Sequence, residues 1–182
     1  PTYGRVSRHG VFALAPSMDH VGPMARTVED AAILFEAAAG ADPRDPSSLP
    51  DPVPAVRAEL ARGIAGLRVG FDRRYATDNV DSDVAKAMDD VLTTLTRLGA
   101  TVVAVSMPDV SKVGSAWLTL CAVESLAVHA KTFPSRASEY GPGFRAELES
   151  GEQVTPAALA EAERVRSTVS ASIDSLLNTV DC

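Results

Sequence analysis

At 182 residues, with 46% hydrophobic and 23% charged residues, the chain is large enough to bury a full apolar core and too apolar to be disordered. Its formal charge of −7, with no basic run longer than Arg73-Arg74, argues against a nucleic-acid-binding face. No apolar stretch approaches the roughly 20 residues needed to span a bilayer, and Cys121 and Cys182 are too few for a disulfide framework and lack metal-ligand spacing.

Residues 1–26 are rich in Gly, Pro and Ser and read as irregular backbone. The opening Pro1-Thr2-Tyr3-Gly4-Arg5 has no apolar signal-peptide core, and the low cysteine count leads to the expectation of a reducing, cytoplasmic setting. A start on proline rather than methionine is expected where an upstream segment has been removed. Thr27 then reads as an N-cap with Asp30 completing a capping box. Val28, Ala31, Ala32, Phe35 and Ala39 recur at helical spacing up to a Gly40 stop. The stretch 41–65, with five prolines between Ala41 and Pro54, reads as an internal Pro/Asp-rich surface linker.

Gly66–Phe71 follows as a short strand. Asp81 or Ser82 starts a helix with an apolar stripe of Val84, Met88, Val91, Leu92, Leu95 and Leu98, which Gly99 ends before the β-branched run Thr101–Val105. Strand, helix and strand in so short a span predict a βαβ unit with parallel strands. A helix from about Ser111 to Ala130 is apolar nearly all round, which predicts that it is buried. A loop at Tyr140-Gly141-Pro142-Gly143 leads to a short helix around 144–149. Thr155-Pro156 opens the last helix, and Thr179–Cys182 reads as the start of a further strand.

Catalytic motifs are mostly absent: there is no G-x-S-x-G elbow, P-loop, H-E-x-x-H or G-x-G-x-x-G. His9, His20 and His129 are far apart and read more simply as surface or core residues than as bases. Lys86, Lys112 and Lys131 sit at helix surfaces or ends, without the burial that tunes a lysine for base work. No nucleophile constellation, metal site or cofactor motif is expected.

The opening segment carries the informative pattern. Pro1-Thr2-Tyr3-Gly4-Arg5-Val6-Ser7 through Gly10, then Ser17-Met18-Asp19-His20-Val21-Gly22-Pro23 through Arg26-Thr27-Val28-Glu29-Asp30, closely resembles the stretch that follows the serine- and glycine-rich signature of the amidase-signature family. The likeness continues through Ala39–Asp45 and Gly63–Gly70, and more weakly through Ala122-Val123-Glu124 and Tyr140-Gly141-Pro142. The resemblance implies an α/β fold, part of a mixed sheet layered between helices, with residues 1–182 forming the C-terminal portion of one domain whose N-terminal portion is absent. It also implies amide hydrolysis by a serine, a second serine in a cis peptide and a lysine. All three precede the matching segment in the family, so none carries over and the isolated chain is expected to be inactive.

Asp19 falls on the family's S-x-D pattern, which implies a carboxylate bracing the signature loop; the competing reading is a plain turn aspartate. Arg5 and Ser7 are expected to brace the same loop, while Arg26 and Asp30 read as helix start and cap. Glu124 lies among Trp117, Leu120 and Cys121, where a carboxylate needs a partner; the resemblance makes it mainly structural, and with Trp117 it is also a candidate for a substrate pocket. Three functions compete: a stand-alone amidase, the glutaminase subunit of a tRNA-dependent amidotransferase, and a non-catalytic binding domain. Ala146-Glu147 stands where the amidotransferase subunit carries an arginine pair, which favours the first. The expected partner is a small-molecule amide, with no direct nucleic-acid or membrane contact and a homodimer left open.

Overall fold

The computed structural model describes residues 1–182, which fall into two compact units, Pro1–Arg62 with Leu118–Pro156 and Gly63–Trp117 with Ala157–Cys182. The helices are α1 (Val28–Ala38), α2 (Val56–Glu59), α3 (Arg73–Thr77), α4 (Ser82–Arg97), α5 (Val113–His129), α6 (Phe133–Arg136), α7 (Pro142–Glu152) and α8 (Pro156–Leu177). The strands are β1 (Arg68–Phe71) and β2 (Thr101–Ala104).

In the first unit, residues 1–26 form no helix or ladder strand, as their composition predicts. They are tied down by an antiparallel bridge of Val6 with Ala39 and by backbone bonds from Gly40 N to Arg5 O (3.1 Å) and Leu49 N to Gly4 O (2.8 Å). Gly4 has a φ of +77°, and a Cβ there would stand 2.1 Å from the Ser47 carbonyl oxygen, so both conformation and space demand glycine. Thr27 caps α1 by accepting from Asp30 N at 3.0 Å. The core lies between α5 and α7. Leu120, Cys121, Ala122 and Ser125 turn inward with Leu148 and Gly151, and a Cβ on Gly151 would meet the Ala122 carbonyl at 2.4 Å. Ser125, fully buried, donates to Glu147 Oε1 at 3.1 Å, which satisfies its hydroxyl. The expectation that α5 is buried all round is corrected: Trp117 is 52% and Leu118 61% exposed. One face of α5 makes core, and the apolar residues off that face are left bare.

In the second unit β1 and β2 pair in parallel, Arg68 with Thr101 through Phe71 with Ala104, and α4 connects them as the spacing predicts. Asp81 caps α4 by accepting from Asp83 N at 2.8 Å. The expected stripe is only partly covered. Met88, Leu92 and Leu95 are half-buried, whereas Val84, Val91 and Leu98 are exposed. The short helices α2, inside the stretch expected to be a linker, and α6 are additions to the expected elements, and so is α3. Asp72 makes it, accepting from Tyr75 N (3.1 Å) and Met107 N (2.7 Å), and these backbone bonds, Met107 first, hold its carboxyl below the ordinary range. Thr179–Cys182 forms no ladder strand. It does lie along β1, with Asp181 N bonded to Arg68 O and Gly70 N to Cys182 O (2.8 and 2.7 Å). No single helix of the chain is long and apolar enough to cross a membrane.

Candidate functional site

The first unit concentrates the polar chemistry on its irregular N-terminal segment. The Ala15 carbonyl accepts from both Met18 N and Asp19 N at 2.8 Å, closing a tight turn that brings the Asp19 side chain back onto the chain before it. Asp19 Oδ2 accepts from Leu14 N at 2.9 Å, and both its carboxylate oxygens accept from Ala15 N, at 3.1 and 3.2 Å. From α5, Glu124 Oε2 accepts from Ser17 N at 2.7 Å while Oε1 takes the Ser17 hydroxyl. Two carboxylates thus hold three backbone amides of one turn, those of Leu14, Ala15 and Ser17, by charge-assisted bonds, each worth about 1.5–3 kcal/mol in general. The Pro16 carbonyl between them accepts from Tyr3 Oη at 2.8 Å and from Arg8 Nη1.

Behind this turn stands a second network. Asp45, 6% exposed, accepts from Arg8 N (2.7 Å), Ser47 N (2.9 Å) and Ser47 Oγ (2.6 Å). These bonds, the Ser47 hydroxyl first, lower its carboxyl pKa. Arg8 Nη2 donates to Tyr3 Oη (2.8 Å) and Ser47 Oγ (2.7 Å). Its buried Nε has no hydrogen-bond partner and faces Asp45 Oδ2 at 3.8 Å. Asp42 takes the Ser7 hydroxyl at 2.8 Å and the Arg44 guanidinium at 3.0 and 3.1 Å. Arg44 is the main cause of its strongly lowered pKa. A cavity of about 360 Å³ opens among these groups, lined by Arg8, Phe12, Leu14, Asp19, His20 and Asp45 among others.

The sequence-predicted residues are distributed unevenly around this face. Asp19 is at its centre, with a definite load of backbone amides. Glu124 finds the partner it needs in Ser17. Ser7 and Arg5 hold the stretch that follows α1: Ser7 bonds Asp42, and Arg5 Nη1 donates to the carbonyls of Asp51 and Pro52 at 3.0 and 3.3 Å. Trp117 belongs to the second unit and is half exposed, while Glu124 belongs to the first, so neither unit by itself contains the pair. Lys86, Lys112 and Lys131 are all exposed, and no three His, Cys, Asp or Glu side chains gather to hold a metal ion. The Cys121 thiol is raised by burial first and then by the Glu147, Glu124 and Asp19 carboxylates, which suits a packing residue and not a nucleophile.

Sequence reading missed Asp45 and Arg8. The signal for Asp45 was available: Asp45-Pro46-Ser47-Ser48 is the composition of a turn in which an aspartate bonds the backbone two residues on. It also passed over the contact of His129 with Tyr140, which follows only from where α5 ends.

The family model described as Amidase matches residues 1–182. An amidase of Pseudomonas putida is 35% identical over 181 residues, all of this chain and 39% of its own length. A glutamyl-tRNA(Gln) amidotransferase subunit of Pelobacter propionicus is 43% identical over 127 residues, 70% of this chain and 26% of its own. Among solved structures, a chain of a vestigial protein complex, described as revealing the evolutionary origins of an s-triazine catabolic enzyme, superposes with a TM-score of 0.88 at 29% identity, covering 99% of this chain and 38% of that one. The chain therefore spans about two fifths of the length of that amidase and of that solved chain, and about a quarter of the amidotransferase subunit.

Proposed function

This chain belongs to the amidase family, and from that premise we propose that it is the C-terminal part of an amidase that hydrolyses a small carboxamide to carboxylate and ammonia. In this reading the serine, cis-serine and lysine lie upstream of residue 1, and the 182 residues alone are inactive. The turn at 14–19 serves as a brace. Hydrogen-bond donors aimed at a developing oxyanion work only when held in place before reaction, and a loop resting on this turn rests on backbone that Asp19 and Glu124 have already immobilised. The reading carries with it a cytoplasmic setting and no cofactor.

The observation that carries the amidase reading is the extent of the match. Likeness to the Pseudomonas amidase runs through 181 residues, while likeness to the Pelobacter amidotransferase protein is higher in identity but stops at 70% of the chain. Ala146-Glu147, in α7, supports the same choice. The higher identity, 43% over 127 residues, favours the second reading, a glutaminase subunit. Assaying the complete polypeptide for ammonia release decides between them. An amidase turns over simple carboxamides unaided; release from glutamine alone, and only with an amidotransferase partner and charged tRNA present, would establish the second reading instead.

A further inference from the structure

Phe12, which lines the cavity beside the Asp19 turn, also lines a second cavity of about 290 Å³ with His129, Thr132, Arg136, Glu139 and Tyr140. Its polar atoms are turned on one another. Tyr140 Oη sits 2.9 Å from His129 Nδ1 and 2.5 Å from Thr132 Oγ1, and Thr132 Oγ1 also reaches the His129 carbonyl at 3.3 Å. At the rim, Arg136 Nε donates to Glu139 Oε1 at 2.9 Å, an exposed ion pair. Away from that rim, the cavity offers a ligand ring surface. The His129 ring is 5.0 Å from Phe12, 5.3 Å from Tyr140 and 5.0 Å from Phe144, and Phe133 backs Tyr140 at 5.7 Å. Phe12 itself is 74% exposed, a large apolar side chain left uncovered between two cavities that it lines in common.

We propose that the Phe12–His129–Tyr140 cavity is the subsite for the apolar part of the substrate, taking an aryl or branched alkyl group whose carboxamide lies on the Asp19 side of Phe12. The inference rests on the amidase reading and narrows it to apolar amides. The volume is at the small end of small-molecule sites, about 300–1,000 Å³, which suits one ring-sized group. Aromatic walls reward such a group by edge-to-face contact and burial.

The test uses the complete polypeptide with phenylacetamide and acetamide as substrates, and phenylacetate binding followed by ligand-observed NMR as a readout independent of turnover. Phe12→Ala is expected to lower kcat/KM for phenylacetamide about tenfold more than for acetamide, the scale of losing one apolar contact in a specificity pocket, and to weaken phenylacetate binding by a similar factor. Tyr140→Phe keeps the ring but removes the hydroxyl that holds His129 Nδ1 and Thr132 Oγ1, and is expected to narrow the preference for phenylacetamide several-fold. Equal losses on both substrates, or phenylacetate binding indifferent to Phe12→Ala, would overturn the subsite; the second result is what a cavity filled by polypeptide beyond residues 1–182 would give. Should neither amide be hydrolysed while phenylacetate still binds in a Phe12-dependent way, the amidase reading fails and the apolar site stands.

Discussion

The β1–α4–β2 segment and the loop of residues 1–22 are held by different forces. The first is regular: ladder bonds join two parallel strands, and Met88, Leu92 and Leu95 tuck one helix face half under. The second has one isolated bridge and a few turn bonds in place of a ladder, and side chains take up much of the rest. Asp19, Glu124, Tyr3, Arg8 and Asp45 together take up the amides and carbonyls of residues 8 and 14–17. Irregular backbone of this kind is specified residue by residue, and it is where binding and catalytic groups tend to be built. Loss of one apolar residue should weaken the regular segment gradually, while loss of one carboxylate should release a whole stretch of loop.

The largest stability effect is expected in the core to which the loop is tied. Leu148, fully buried in α7, should cost about 2–5 kcal/mol as Leu148→Ala, read from denaturant unfolding; a cost below about 1 kcal/mol would mean that the α5–α7 contact is not the core of its unit. Gly4→Ala forces a left-handed conformation on a β-carbon that also meets Ser47 O, and should cost about 1–3 kcal/mol. Its effect should fall on protection of the Leu49 amide, which bonds Gly4 O, in hydrogen exchange. In the regular segment Leu92→Ala should cost less, about 1–2 kcal/mol, because the side chain is only half-buried. An equal or larger loss than at Leu148 would reverse the comparison.

Acid should loosen the loop, as it should the Asp72 cap of α3. Asp42, held down chiefly by Arg44, and Asp45, held down chiefly by the Ser47 hydroxyl, both have folded-state pKa values below those of the unfolded chain. Their contribution is fully present above the ordinary aspartate value of about 4 and is lost as pH falls through the lower folded values. Melting temperature should therefore fall below about pH 4 with a slope that Asp45→Asn makes shallower. A variant that tracks the wild type at every pH would show that this carboxylate has the same pKa in both states.

The regular segment was legible in the sequence because period and punctuation coincide: β-branched runs, an Asp81 cap and a Gly99 stop mark the strands and α4 without tertiary knowledge. Asp19 was legible as a position but not as a geometry, since nothing local says that a carboxylate reaches back to residues 14 and 15. The Ser17–Glu124 contact spans 107 positions, and no periodicity encodes it. The overestimated burial of α5 has a similar cause. An apolar helix reports that it is to be covered, and only tertiary structure reports on which side, as Trp117 and Leu118 show.

The central claim is that the carboxylate-held turn serves the chemistry of the complete polypeptide and not merely its fold. Asp19→Asn keeps the size of the side chain and one acceptor while removing the charge that binds the Leu14 and Ala15 amides. Measured on the same purified protein, kcat should fall on the order of 10²-fold, the scale of losing one aligned oxyanion donor, while the stability loss stays within about 1–3 kcal/mol, the cost of a weakened charged hydrogen bond. An unchanged kcat with that same small stability loss would make Asp19 a turn aspartate and contradict the account.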